Sequence, residues 1–68
     1  MKDNKKNNNL KELRSGKDLT QKQVAEPIGI TASYLGMIEN GVRIPNLEIA
    51  KAIADFFGKN IEDIFFNL

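Results

Sequence analysis

Two short helical segments follow each other in this sequence with only a tight turn between them. The first begins at Thr20, because Thr20 and Gln23 have the spacing of a capping box, in which each side chain bonds the other residue's backbone N–H. It ends at Gly29, since glycine readily takes the left-handed conformation that terminates helices. Thr31 can cap the second segment, which we expect to reach about Asn40. A turn this short forces the two helices to cross steeply, as in a helix-turn-helix.

The residues in and around the turn meet the packing needs of that geometry. Ala25 is small enough for the point where the helices approach each other, and Gly29 tolerates the positive φ that the turn requires. Apolar side chains must also fix the pair to the rest of the domain. Suitable ones are Val24, Ile28, Ile30, Leu35 and Ile38.

Three further helices are predicted on either side of this pair. Asn9 can cap a first helix that runs to about Ser15. Asn46 can cap another, which ends at Gly58, and Asn60 can cap the last. The helix after Asn46 has an inward stripe with i, i+3, i+4, i+7 spacing: Ala50, Ile53, Ala54 and Phe57. No segment alternates between apolar and polar residues as a half-buried strand does. The predicted fold class is therefore all-α, with five helices.

The chain has 68 residues, enough for one small domain. Residues 1–8 lack apolar periodicity, so we expect a flexible basic tail there and a single domain over residues 9–68. Residues 1–17 hold six Lys or Arg against two acidic residues, whereas residues 47–68 hold two against four. The basic end suggests an anionic partner such as nucleic acid. The tail itself is either a solubilising segment or an arm that lies along that partner.

The composition argues against an enzyme. Cysteine and histidine are both absent, which removes disulfides, thiolate zinc sites and the commonest general base. Neither Ser15 nor Ser33 has a matching base, so we expect no catalytic residues, no metal site and no cofactor. No apolar run approaches the roughly 18 residues of a membrane span, and the polar start is unlike a secretory signal. These features predict a cytoplasmic protein with no membrane partner.

The chain resembles the XRE family, the Cro- and phage-repressor-like helix-turn-helix regulators, from about Leu10 to Leu68. The shared features are Leu19-Thr20-Gln21, Val24-Ala25, Ile28-Gly29-Ile30, Tyr34-Leu35, Ile38-Glu39-Asn40-Gly41 and the helix from Pro45 to Phe57. The ending Asn-Ile-Glu-Asp-Ile-Phe-Phe is similar to that of stand-alone members without a ligand or protease domain. The resemblance implies a compact five-helix, repressor-like DNA-binding domain that binds operator DNA as a homodimer.

In this family the third helix enters the major groove with its N-terminal residues toward the base edges. The matching positions are Ala32, Ser33 and Met37, with Tyr34 reaching a phosphate or a base. Ser33 can bond a base edge and Ala32 can contact a thymine methyl. Family members usually carry long polar side chains on this face, so we expect specificity to depend here on methyl contacts and DNA deformability. In one alternative, this face meets a protein. In a separate alternative, Tyr34 packs against the second helix.

The resemblance also implies phosphate contacts on both sides of the third helix: Thr20, Gln21, Thr31, Asn40 and Arg43. Gln21 opens the second helix and would meet a phosphate through its backbone N–H and its side-chain amide. Two neighbouring residues have structural interpretations. Glu39 is implied to hold the fold together with Arg14 as its partner, and Gly36 is explained by close packing against the second helix.

Several apolar residues remain once the core positions of the last two helices are assigned: Ile49, Ala52, Phe56, Phe66 and Leu68. A contiguous exposed apolar patch indicates association, so we predict a C2 homodimer through these residues. Its two recognition helices would meet successive major grooves about 34 Å apart and read a near-palindrome. In the alternative interpretation, Phe56 and Phe66 complete the core of a monomer.

The sequence thus predicts a sequence-specific, double-stranded DNA-binding transcriptional regulator, more consistent with a repressor. Two alternatives stay open. One is a controller or antitoxin-type protein of the same fold that also engages a regulatory protein partner. The other is a protein-interaction module whose recognition-helix face meets a protein.

Overall fold

The computed structural model describes residues 8–66. Within this range the secondary structure is helical apart from turns and one isolated antiparallel bridge between Asn8 and Phe65. The helices are α1 (Leu10–Gly16), α2 (Gln21–Ile28), α3 (Ala32–Glu39), α4 (Leu47–Phe57) and α5 (Ile61–Ile64). The predicted all-α fold class is confirmed.

Most helix ends are fixed by the local chemistry that the sequence predicts. The Thr20 hydroxyl accepts from the Gln23 N–H at 3.1 Å, and the Gln23 side chain accepts from the Thr20 N–H at 2.8 Å. Thr31 and Asn46 cap α3 and α4 through their side-chain oxygens. Gly29 ends α2 with φ of 91°, a left-handed conformation that any residue with a Cβ adopts at a cost.

The start of α1 differs from the prediction. Asn9 occupies the N-cap position, but its side chain makes no capping bond. The Asn8 side-chain oxygen instead accepts from the Leu10 N–H at 3.0 Å, and the Asn8 amide donates to the Ile38 carbonyl at 3.0 Å. Asn8, which the sequence assigns to the tail, is buried in the structure. Residues 1–7, the rest of the predicted tail, lie outside the described residues.

One hydrophobic core joins the helices. It contains the predicted α4 stripe together with residues from α1, α2, α3 and the C-terminal segment: Leu10, Val24, Ala25, Leu35, Ile38, Ala50, Ile53, Ala54, Phe57, Ile64 and Phe65. Ile28 and Ile30, on either side of the tight turn, are half-buried and pack against its edge. The core fixes α2 and α3 from the inside and leaves the outer side of α3 uncovered.

Candidate nucleic-acid interface

The α2–α3 pair has the bent geometry that the sequence predicts. The chain turns at Gly29, and the Gly29 and Ile30 N–H groups both return to the Ala25 carbonyl, at 3.0 and 3.1 Å. Leu35 and Ile38 anchor α3 in the core, since neither is exposed at all. The helix can therefore present its opposite face to a partner without losing these contacts.

The sequence assigns four residues of α3 to base contacts. Ser33 is exposed, whereas Ala32, Tyr34 and Met37 are half-buried. Tyr34 also packs against the edge of the core, which agrees with the more structural of its two interpretations. These four side chains are mostly apolar, and Ser33 is the most accessible polar group among them.

A buried polar network joins α1, α2 and α3 behind this face. Arg14 binds both oxygens of the Glu39 carboxylate, with Nε–Oε2 at 2.6 Å and Nη2–Oε1 at 3.2 Å. The Glu39 side chain is only 1% exposed, and Arg14 also donates to the Leu19 carbonyl at 2.7 Å. The structural interpretation of Glu39 and its pairing with Arg14 agree with this geometry. A bidentate pair of this kind fixes the orientation of α1 relative to α3 and also attracts the two helices to each other.

The same carboxylate also holds Gln21. Its Nε2 donates to Glu39 Oε1 at 3.1 Å, so the amide lies across the junction of α2 and α3. A Cβ built on Gly36 would lie 3.0 Å from that nitrogen, which fits the close packing predicted for this glycine. The sequence assigns Gln21 to a phosphate, and the structure gives it this internal bond in addition. One amide hydrogen remains for an external acceptor, because a side-chain NH₂ has two donors.

The remaining residues assigned to phosphates lie at the ends of α2 and α3. Thr20 and Thr31 are exposed, and each hydroxyl accepts a capping bond while keeping its own hydrogen to donate. Asn40 and Arg43 are exposed just beyond α3. The Arg43 N–H donates to the Met37 carbonyl at 3.2 Å, which fixes the loop to the last turn of the helix.

Three exposed apolar side chains lie in or next to this loop and were not predicted from the sequence. Val42, Ile44 and Leu47 are 68%, 67% and 71% exposed, more than any other large apolar residue in the described range. Two features of the sequence could have indicated their exposure. None of the three falls on the α4 stripe, and two of them flank Arg43 outside any helix. We call these three residues the apolar loop cluster.

The residues assigned to a dimer interface are only partly accessible. Phe56 and Phe66 are 38% and 50% exposed, and neither belongs to the core cluster. Phe56 contacts the buried Phe57 ring edge to face, with centroids 5.0 Å apart. Ile49 and Ala52 are half-buried, and Ile49 packs against the core, so it contributes less free surface than the sequence suggests. Leu68 lies outside the described residues.

Other kinds of site find no support in the described residues. Between residues 8 and 66, no three His, Cys, Asp or Glu side chains gather as a metal site would require. None of the helices in that range combines the length and the apolar character needed to cross a bilayer.

The sequence matches those of helix-turn-helix transcriptional regulators. A family model described as helix-turn-helix matches residues 10–64. The chain is 43% identical over 58 residues to an uncharacterised HTH-type transcriptional regulator of Methanocaldococcus jannaschii, covering 85% of this chain and 88% of that protein.

Two similar proteins have assigned and opposite effects on transcription. The HTH-type transcriptional activator BcrR of Enterococcus faecalis is 38% identical over 58 residues, which is 85% of this chain but only 28% of the activator. The cryptic phage CTXphi transcriptional repressor RstR of Vibrio cholerae is 33% identical over 55 residues, covering 81% of this chain and 50% of the repressor.

Proposed function

Because the chain belongs to the XRE-type helix-turn-helix family of DNA-binding transcriptional regulators, we propose that it is a repressor that binds a near-palindromic operator as a homodimer, with α3 in the major groove. The observation that carries this proposal is the placement of α3. Leu35 and Ile38 are wholly buried while Ser33 on the other side is exposed, so the helix has a free outer face.

Phosphate contacts on both sides of α3 would set its position in the groove. The start of α2 contributes Thr20 and Gln21, where backbone N–H groups of the first helical turn lack partners within the helix. The start of α3 contributes Thr31, and the following loop contributes Asn40 and Arg43. These contacts fix the register of the protein on DNA and carry no base information themselves.

Base recognition would rest on Ala32, Ser33, Met37 and Tyr34. Ser33 is the accessible hydrogen-bonding side chain of this group, while Ala32 and Met37 offer apolar contacts suited to thymine methyl groups. Because no long amide or guanidinium reads a base pair here, sequence-dependent bending of the operator supplies part of the specificity.

Repression is the simpler mode for such a protein. Occupying an operator is enough to block a promoter, whereas activation requires a further contact with the transcription machinery. The similarity to the phage repressor RstR supports this choice. Because the chain is also similar to the activator BcrR, a reporter assay should measure whether transcription falls or rises when the protein binds.

The decisive experiment is selection of bound sequences from a random duplex library, followed by salt titration on the selected site. We expect a near-palindrome with half-sites one helical turn apart. With one Arg43 on phosphate in each protomer, affinity should fall about tenfold or more between 50 and 200 mM salt, since the slope of log affinity against log salt concentration is about −0.9 for each phosphate neutralised.

Substitutions at Arg43 and Ser33 should have different signatures. Arg43→Ala is expected to weaken binding to all duplexes alike and to reduce the salt slope by about one for each protomer. Ser33→Ala should leave the slope unchanged and relax the preference at one base pair in each half-site, by about 1 kcal/mol or somewhat more. Identical effects of the two variants on selected and random duplexes would contradict these roles.

The apolar loop cluster favours a second candidate function. Val42, Ile44 and Leu47 are highly exposed in the part of the chain that follows α3, and exposed apolar surface is typical of protein-binding sites. In this candidate, the protein is an antitoxin-type or interaction module whose α3 face meets a protein partner. Failure to enrich any duplex at low salt, or affinity independent of salt, would favour it over DNA binding.

A further inference from the structure

Gly36 is an unfavourable residue for the middle of a helix, yet it lies well inside α3. A glycine there costs up to about one kcal/mol of stability relative to alanine, because it loses more backbone freedom on folding. Unlike Gly29 and Gly58, it has no positive φ that would require glycine. Its backbone conformation therefore gives no reason for the choice.

The surroundings of Gly36 supply a reason. A Cβ on this residue would lie 3.0 Å from Nε2, 3.5 Å from Cδ and 3.6 Å from Oε1 of Gln21. The whole amide group of Gln21 thus lies against the place where a side chain would begin. The nearest of these distances is tighter than nine in ten contacts made by real Cβ atoms, so an alanine would push the amide nitrogen away by a few tenths of an ångström and weaken its bond to Glu39.

The amide has a definite orientation in that space. Nε2 donates to Glu39 Oε1, and Arg14 holds Glu39 in turn. Gly36 and Glu39 are three residues apart and share one side of α3, so the glycine provides room and the carboxylate provides the acceptor. Gln21 is fixed at its backbone by α2 and at its amide by α3.

We propose that Gly36 is a positioning residue for DNA binding: the space left by its missing side chain seats the Gln21 amide, which is then in place before a phosphate arrives. The inference rests on the proposed function, in which Gln21 contacts a phosphate. A glutamine side chain has much rotamer freedom to lose, so fixing it in the free protein lowers the cost of making the contact. Gly36 itself need not touch DNA.

The test compares Gly36→Ala with Gly16→Ala, using the whole chain and the selected duplex. Gly16 lies at the end of α1, and a Cβ there meets nothing within 4 Å. Gly16→Ala should keep or raise the melting temperature, because alanine is the better helix former. In Gly36→Ala the same gain is offset by the weakened bond between Gln21 and Glu39. Only Gly36→Ala should lose duplex affinity, by about tenfold, as expected for one hydrogen bond to a charged group. Its salt slope should match the wild type, since Gln21 brings no charge.

Gln21→Ala supplies the second arm. Adding Gly36→Ala to that variant should cause no further loss of affinity, because the amide is already gone. The Gln21 side-chain NH₂ signals in the NMR spectrum of the free protein should also move toward their solvent-exposed positions in Gly36→Ala.

Three results would overturn the proposal. Wild-type affinity in Gly36→Ala would do so, as would a further tenfold loss in the double variant, which would mean that the new methyl meets DNA itself. Unchanged Gln21 NH₂ signals would also do so. If the wild-type chain binds no duplex at all, the proposed function fails, whereas the three results above leave it intact.

Discussion

Arg14→Met is expected to cost about 3–5 kcal/mol in the free energy of unfolding, the range found when one partner of a buried ion pair is removed. The Glu39 side chain is 1% exposed, and Arg14→Met removes the guanidinium that now binds both oxygens of its carboxylate. A single core in a chain of this length supplies about 3–5 kcal/mol in total. Urea denaturation followed by circular dichroism should therefore show a largely unfolded variant.

Two controls separate this effect from a general loss of charge. Arg14→Met combined with Glu39→Gln removes the uncompensated charge and keeps a carbonyl acceptor for Gln21, so it should regain much of the loss. Lys51→Met breaks the exposed Lys51–Asp55 pair, whose side chains are 69% and 70% exposed, and should change stability by less than about 1 kcal/mol. Equal effects of Arg14→Met and Lys51→Met would contradict a structural role for the buried pair.

Phe66→Glu is expected to convert a dimer into monomers. Operator affinity should then fall by about 10²–10⁴-fold, because the two recognition helices are no longer linked and each half-site must bind a separate monomer. Phe66 is half exposed, and a carboxylate placed there would have to be desolvated in the interface that we propose. Phe56→Glu should act in the same direction. Analytical ultracentrifugation and duplex titration measure the two effects.

Leu47→Glu is the matched control for assembly. It places the same charge at an apolar residue that is 71% exposed but belongs to the apolar loop cluster, so the dimer should persist. If Phe56→Glu and Phe66→Glu both sediment as dimers, the interface lies elsewhere on the molecule.

The starts of α2, α3 and α4 were predictable because local chemistry sets them. Thr20, Thr31 and Asn46 cap their helices through atoms three residues away, and the α4 stripe follows from helical periodicity alone. Such signals need no knowledge of the rest of the fold. The outward placement of Ser33 follows for the same reason, since burying Leu35 and Ile38 determines which side of α3 is left.

Contacts between distant parts of the chain were harder to foresee. Asn8 looks like part of a polar tail, but it bonds a carbonyl thirty positions away and is buried as a result. The third bond of Glu39, from Gln21, depends on how closely α2 approaches α3. The exposure of Ile44 depends on the path of the loop before α4, whereas hydrophobicity alone would have placed this side chain in the core.

The division of α3 into an anchored side and a free side affects how this protein changes over time. Leu35 and Ile38 carry the stability of the helix, whereas Ala32, Ser33 and Met37 contribute little to the core. Substitutions at the free positions therefore tend to be nearly neutral for folding. A lineage can in this way drift to a different operator while retaining the same scaffold, and a duplicated copy can acquire its own targets without first gaining stability.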